Sequence, residues 1–200
     1  MDELFSRQMP HSLDAEQAVL GSILIDSRCA AQVISALKPE AFYTDLNRSI
    51  YEVICSMFNF ARPIDAVTVL DEMKLQGVYD ARTSQAYLVE LMTVTPSTAN
   101  VMRYVEIVRD KALLRGIAAV ASEITASVVK VRAKGGDNGK LFGSVTSKEI
   151  SEALKEQYGI ELEKNRIILE ENIKSFGSYE VKCKLGHEIN GTIHLIVTEE

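Results

Sequence analysis

A glycine-rich basic segment is the part of the sequence whose residue types could most directly do chemistry. It reads RAKGGDNGKLFG, residues 132–143. A phosphate-binding loop for nucleotides has the pattern G-x-x-x-x-G-K-[ST], in which backbone amides surround the phosphates and the hydroxyl holds Mg²⁺. Gly139 and Lys140 fit, but Lys134 stands at the first glycine position and Leu141 at the hydroxyl position. We therefore expect no nucleotide site here, and we expect the chain to continue as a loop until a helix begins at about Thr146.

The same segment has the residue types of an RNA-contacting loop. Glycines allow close approach of a phosphate chain, lysines such as Lys134 and Lys140 add charge, and Phe142 offers a face for an unpaired base. The alternative from the residues alone is a surface loop whose Phe142 packs into the core.

No other set of residues has the spacing of a catalytic or metal site. His11, His187 and His194 are not spaced as ligands with one another or with a cysteine. Cys29 and Cys55 lie among apolar residues, which is typical of small buried thiols. We expect no catalytic residue, no metal and no cofactor.

The length and the cysteine count of the chain predict two small domains in a reducing compartment. The chain has 200 residues, a net charge of −6 and three widely spaced cysteines, which favours a cytoplasmic protein without disulfides. Residues 1–127 carry 11 basic and 16 acidic side chains, a net of −5, and residues 128–200 carry 11 and 12, a net of −1. We expect no signal peptide, and with no apolar run of about 18 residues we expect no membrane span or membrane partner.

Residues 1–127 have the periodicity of an all-helical domain. Apolar residues recur every three to four positions in successive segments, and Ser12 and Asp65 are suited to begin helices while Pro39 and Gly77 end them. The segments are LDAEQAVLGSILI, SRCAAQVISAL, LNRSIYEVICSMF (with Ile50, Ile54, Met57 and Phe58 predicted to face inward), PIDAVTVLDEMKLQG and SQAYLVELM.

A long helix is predicted from Ser97 to about Ser127. It contains no proline and one glycine, and an apolar stripe follows its second half. The stripe either packs inside one domain or makes a dimer contact. Its residues, the predicted self-association surface, are Leu113, Ile117, Val120 and Ile124.

Residues 128–200 change to the pattern of a small α+β domain with a short mixed or antiparallel sheet. VVKVRA alternates as a strand does, a helix begins at a capping box of Thr146 and Glu149, and Gly159 ends that helix. RIILEE is a short predicted strand, and SYEVKCKL and TIHLIVTE form a hairpin around GHEING.

The second part resembles the C-terminal domain of the ninth protein of the bacterial large ribosomal subunit. The resemblance covers Val128–Glu200 and is most specific at KLFGSVT. It implies a small α+β fold that associates with ribosomal RNA through its loops, and we expect that family's N-terminal RNA-binding domain to be missing. The RNA-binding residues it implies are Lys134, Gly135, Gly136, Lys140, Phe142, Gly143 and Ser144.

The first part resembles the N-terminal domain of the bacterial replicative helicase, the DnaB family. PHSLDAEQAVLGSILID, PEAFYTDLNRSIYEVI, PIDAVTVLDEM and YLVELMTVTPSTANVMRYVEIVRDKALLR carry this resemblance, over about Met9–Ser127. It implies a helical head and hairpin that pair into dimers, build the collar of the helicase ring and receive primase. We expect the second arm of the hairpin and the ATP-driven motor to be missing.

Together these features predict a non-enzymatic binding protein with domains at 1–127 and 128–200. The predicted partners are ribosomal RNA or the large ribosomal subunit, a second copy of the chain, and primase or helicase. The alternative is an interaction module of DNA replication that carries the second domain as a passenger.

Overall fold

The computed structural model describes residues 9–136 and 140–200. Gly139, one of the two residues that fit the phosphate-loop pattern, therefore lies outside the described residues. The chain divides into two compact units, Met1–Arg115 and Gly116–Glu200. The division falls within the long helix, whereas the sequence-based boundary stood at its end, at 127/128.

The first unit is helical, and its helices begin and end at local signals. Ser12 accepts a hydrogen bond from the Ala15 amide, and Asp65 forms a reciprocal capping box with Thr68, which satisfies amides that the first turn leaves free. Gly77 follows the fourth helix with a left-handed backbone, φ 74°. The helices are α1 (Leu13–Ile25), α2 (Ala30–Ala36), α3 (Asp45–Asn59), α4 (Ala66–Leu75), α5 (Ser84–Val94) and α6 (Val101–Ala126).

One apolar core holds the helices of the first unit together. Val19, Leu20 and Ile23 of α1 are fully buried, as the periodicity predicts. Phe58 was predicted to face inward but is 39% exposed, because the buried face of α3 is centred on Tyr51, Ile54 and neighbouring residues and leaves Phe58 at its rim. Other core residues are Val33, Phe42, Ile50, Met57, Val69, Met73, Leu88, Leu91, Val101, Val105 and Val108.

No single helix in the described part of the chain is long and apolar enough to cross a membrane. The bent pair Leu13–Ile25 and Ser27–Ala36 reaches that length and hydropathy only when its two helices are taken together.

The second unit is an α+β fold built on a four-stranded sheet. Its elements are β1 (Val128–Ala133), β2 (Lys140–Val145), α7 (Ser147–Tyr158), β3 (Ile167–Ile168), β4 (Ile173–Ser175), β5 (Gly177–Gly186) and β6 (Ile189–Glu199). The strand order is β1-β6-β5-β3, with β1 parallel to β6 and the other pairs antiparallel, so the sheet is mixed, one of the two forms predicted. A separate ladder joins β2 to β4.

Residues 141–145 form part of a strand, not the loop that the sequence predicted. The strand β2 forms because β4 supplies its hydrogen-bonding partner from about thirty residues further along the chain. The register shifts between Lys140 and Val145, and Gly143 takes a positive φ of 123°, so the strand is irregular in its middle.

The core of the second unit includes Ile124, which corrects its prediction as part of a self-association surface. Ile124 is fully buried, and a Cβ built at Gly191 of β6 would lie 3.7 Å from Ile124 Cγ2. The last turns of α6 therefore pack against the sheet, and this position has no surface to offer a second copy. The remaining stripe residues are Leu113 and Val120, which are exposed, and Ile117, which is half-buried.

Candidate nucleic-acid interface

The predicted RNA-binding residues are brought together by a short antiparallel ladder, which we call the basic hairpin: residues 134–136 and 140–144. The Phe142 amide donates to the Lys134 carbonyl at 2.8 Å, and the Gly136 amide donates to the Lys140 carbonyl at 2.7 Å. Gly135 and Leu141 form the bridge pair between them. Lys134 thus lies directly opposite Phe142, and Gly136 opposite Lys140.

The two sides of the basic hairpin differ sharply in burial. Leu141 is 8% exposed and belongs to the core, whereas Phe142, the next residue, is 85% exposed. Because residues opposite one another in a ladder share a side, Lys134, Lys140 and Phe142 lie on the outward side. The alternative in which Phe142 packs into the core is therefore wrong.

The glycines of the basic hairpin allow close packing on both of its sides. A Cβ built at Gly135 would lie 2.3 Å from Glu199 Oε1, and one at Gly136 would lie 3.6 Å from Phe142 Cδ2. The Phe142 ring thus lies near Gly136, and the Glu199 carboxylate lies on the inward side beside Gly135. Gly143 is exposed with open space around it, and Ser144 is half-buried.

Two further cations lie on the strand that leads into the basic hairpin. Lys130 and Arg132 are exposed on β1 and alternate with the buried Val129 and Val131. Neither cation was among the RNA-binding residues predicted from the sequence, although the period-two alternation of VVKVRAK indicates that Lys130, Arg132 and Lys134 share a face.

Side chains of α7 hold the free edge of β1. Gln157 accepts from the Lys130 amide at 3.0 Å and donates to the Lys130 carbonyl at 2.7 Å. The Tyr158 hydroxyl accepts from the Val128 amide at 3.1 Å and donates to the Val128 carbonyl at 2.9 Å. These bonds take the place of a neighbouring strand and fix the strand that carries the cations.

A buried polar network links three helices of the first unit. The Glu16 carboxylate, 1% exposed, accepts from the Tyr43 amide at 2.8 Å and from Asn47 Nδ2 at 2.9 Å. Asn47 Oδ1 in turn accepts from the Tyr87 hydroxyl at 2.7 Å. Burial raises the pKa of Tyr87, which keeps this hydroxyl a donor. Each of these groups is occupied in holding α1, α3 and α5 together.

The first unit also has an open groove of about 410 Å³. Its lining is mainly apolar, from Ala15, Ala18, Val94 and Ile107, with Asp14 and Gln17 among its polar residues. Within the described part of the chain, no group of three or more His, Cys, Asp or Glu side chains could hold a metal ion.

Residues 8–110 match the family model of the DnaB-like helicase N terminal domain, over about half of the chain. The chain belongs to this family. The DnaB-like part is 34% identical over 122 residues to the replicative DNA helicase DnaB of Mycobacterium leprae, covering 61% of this chain and 20% of the relative. It is 36% identical over 115 residues to the replicative DNA helicase DnaB of Haemophilus influenzae, covering 58% of this chain and 25% of the relative.

The fold of the DnaB-like part agrees with a solved structure. The N-terminal domain of DnaB helicase from Mycobacterium tuberculosis superposes with a TM-score of 0.57 at 34% identity, covering 58% of this chain and 84% of that one. The chain spans only about a fifth to a quarter of the length of the curated relatives it matches.

A second family model matches the rest of the chain. Residues 116–199 match Ribosomal protein L9, C-terminal domain. The basic hairpin and β1 with its two cations both lie within this match. Both resemblances stated from the sequence are therefore confirmed as family matches.

Proposed function

We propose that this chain is a non-catalytic binding and assembly protein of the bacterial cytoplasm, whose second unit binds RNA of the large ribosomal subunit through the basic hairpin. The observation that carries the proposal is Phe142, 85% exposed between two exposed lysines, Lys134 and Lys140. A large aromatic side chain in that position costs solubility unless it has a partner, and an unpaired base stacks on such a ring. The match to a ribosomal protein domain supports the choice of ribosomal RNA.

The charge of the unit restricts how it binds. Residues 128–200 have a net charge near zero, so attraction to RNA rests on local cations rather than on a strongly basic surface. We infer a modest affinity with a small number of phosphate contacts, and a salt dependence that those few lysines set.

Co-sedimentation with purified bacterial large ribosomal subunits, repeated across a series of salt concentrations, tests the proposal. Saturable pelleting that weakens as salt rises is the expected result. A protein that stays in the supernatant at low salt, while circular dichroism shows that it is folded, contradicts it.

We also propose that the first unit is an interaction module, because the chain belongs to the DnaB-like helicase N terminal domain family. Its candidate partners are a second copy, primase and helicase. For self-association the supporting observation is the exposed side of the long helix α6, which runs through both units: Leu113 of the first unit is 52% exposed, and Val120 of the second unit is 38% exposed. The two are seven residues apart, with Ile117 between them.

Sedimentation velocity at high micromolar concentration tests self-association. We expect a dimer that the Leu113→Glu/Val120→Glu variant abolishes. A matched control, Ala119→Glu/Ser122→Glu, adds the same charge to exposed positions on the other side of the helix. A monomeric wild type contradicts self-association, and titration with purified primase then tests the remaining partner.

A further inference from the structure

The outward face of β1 presents a straight row of cations that leads to the basic hairpin. Lys130 and Arg132 point away from the core because Val129, 0% exposed, and Val131, 8% exposed, point into it. The same alternation places Lys134 next in line. Side chains two residues apart on a strand are spaced by roughly 6.6 Å, so the row runs roughly 13 Å along one direction.

This face of the sheet is uncovered. Lys130 pairs in register with Ile196 of β6 and Arg132 with Thr198, and the core residues, including Ile150 and Leu154 of α7, lie on the opposite face. Thr198 is exposed and Ile196 is half-buried. Within the described residues, neither α7 nor a loop therefore covers the row, so a ligand can reach it.

The charges around the row favour an anionic ligand. On this face of β5 the described residues include two exposed lysines, Lys182 and Lys184, and one carboxylate, Glu180, which lies opposite His194 at 3.8 Å from its Nδ1. A second carboxylate, Glu200, follows β6 and reaches the register position of Lys134, at the hairpin end of the row. Within the described residues neither Lys130 nor Arg132 forms an ion pair. Their charges are available to a ligand.

The row is also held in place. Gln157 and Tyr158 bond both backbone groups of Lys130 and Val128, so no further strand can add at this edge of the sheet. The surface left for a partner is the face of the strand, where the cations stand, rather than its edge.

We propose that Lys130, Arg132 and Lys134 follow the sugar-phosphate backbone of one RNA strand, while Phe142 stacks on an unpaired base where that strand reaches the basic hairpin. The row adds to the proposed RNA binding and rests on it. Single-stranded RNA fits because a straight line of cations follows one backbone, and because a duplex hides the base faces that an aromatic ring needs.

Fluorescence anisotropy with the full chain tests this assignment. The probes are an unstructured RNA of about 12 nucleotides, a length within the usual site sizes, and a duplex that contains the same strand. The test variant is Lys130→Ala/Arg132→Ala. The matched control is Lys148→Ala/Lys155→Ala, which removes two exposed cations from α7, the helix packed on the opposite face.

We expect the single strand to bind at least about tenfold more tightly than the duplex, and the test variant to weaken its binding while the control does not. The slope of log K against log salt should fall by about 1.4 in the test variant, about 0.7 for each lost phosphate contact. Equal affinity for the duplex, or a test variant that binds like the control, overturns the assignment.

The basic hairpin variant Lys134→Ala/Lys140→Ala separates the two proposals. If it loses binding while Lys130→Ala/Arg132→Ala does not, the role proposed for the row is wrong, and RNA binding by the basic hairpin remains supported. If the wild type binds neither probe and does not pellet with ribosomal subunits, both proposals fail.

Discussion

Phe142 lies directly across a two-stranded ladder from Lys134, and its amide donates to the Lys134 carbonyl at 2.8 Å. The ladder directs the ring and the ammonium group to the same, outward side, while Leu141 anchors the strand in the core. An exposed aromatic ring on the same side as a cation suits single-stranded nucleic acid, because a base can stack on the ring and a phosphate can contact the cation.

Replacing Phe142 with alanine should weaken RNA binding without affecting folding. The ring is 85% exposed, so its loss removes little packing, whereas stacking on a base contributes about 1–3 kcal/mol. Anisotropy titration should show the loss, with Phe142→Trp keeping wild-type affinity or exceeding it. An alanine variant that binds as tightly as the wild type would exclude stacking.

Replacing Gln157 with alanine should loosen the edge of the sheet. The change removes two hydrogen bonds to the backbone of Lys130, at 3.0 and 2.7 Å, in an exposed position, for which we expect a cost of about 0.5–1.5 kcal/mol. Hydrogen exchange measured by NMR should show faster exchange at the Lys130 amide. Glu156→Ala, at the preceding exposed position, is the control, and equal exchange in the two variants would contradict the role given to Gln157.

Replacing Tyr87 with phenylalanine should destabilise the first unit. The ring stays, but Asn47 Oδ1 loses the hydroxyl that donates to it at 2.7 Å, and an unpaired buried oxygen costs about 1–3 kcal/mol. Urea unfolding should show a lower midpoint. Tyr104→Phe is the comparison, since within the described residues the Tyr104 hydroxyl makes no hydrogen bond, and a matching shift there would argue against the network.

The stability of the first unit should fall in alkaline solution because of Tyr51. Its side chain is fully buried, its hydroxyl donates to the Leu37 carbonyl at 3.0 Å, and burial raises its pKa. The unfolded chain then ionises this group first, so its contribution is fully present below pH about 10 and is lost as pH rises above that value.

Unfolding free energies measured between pH about 9 and about 11 test this pH dependence. The wild type should lose up to about 1.4 kcal/mol per pH unit more than Tyr51→Phe above the unfolded pKa. Tyr51→Phe should itself be less stable at neutral pH, because the bond to Leu37 is lost. Parallel slopes for the two proteins would contradict the prediction.

Features that depend on neighbouring residues could be predicted from the sequence. Ser12 begins α1, Thr146 and Glu149 form the capping box of α7, and Gly159 ends that helix with φ 70°, all as expected. Each of these signals acts within a single turn of helix. The alternation of apolar and charged residues on β1 is an equally local signal. It could have been used to predict that Lys130 and Arg132 face outward.

Features that depend on distant parts of the chain could not be predicted in this way. The strand β2 forms because β4 pairs with it. The glycine at position 143 interrupts the alternation of buried and exposed side chains by which a strand is predicted from sequence. Ile124 continues the apolar stripe of Leu113 and Val120, yet the sheet of the second unit buries it. Helical periodicity alone does not tell which part of a long stripe packs on a core and which remains exposed.

Binding of ribosomal RNA by the basic hairpin is tested most directly by pelleting with large ribosomal subunits. The measurement compares the wild type with Lys134→Ala/Lys140→Ala across a series of salt concentrations. Both side chains are exposed, so the variant should keep its circular dichroism spectrum. We expect the variant to lose most of its pelleting at low salt and its salt dependence to become flatter. Pelleting of the folded variant that equals the wild type at every salt concentration would contradict it.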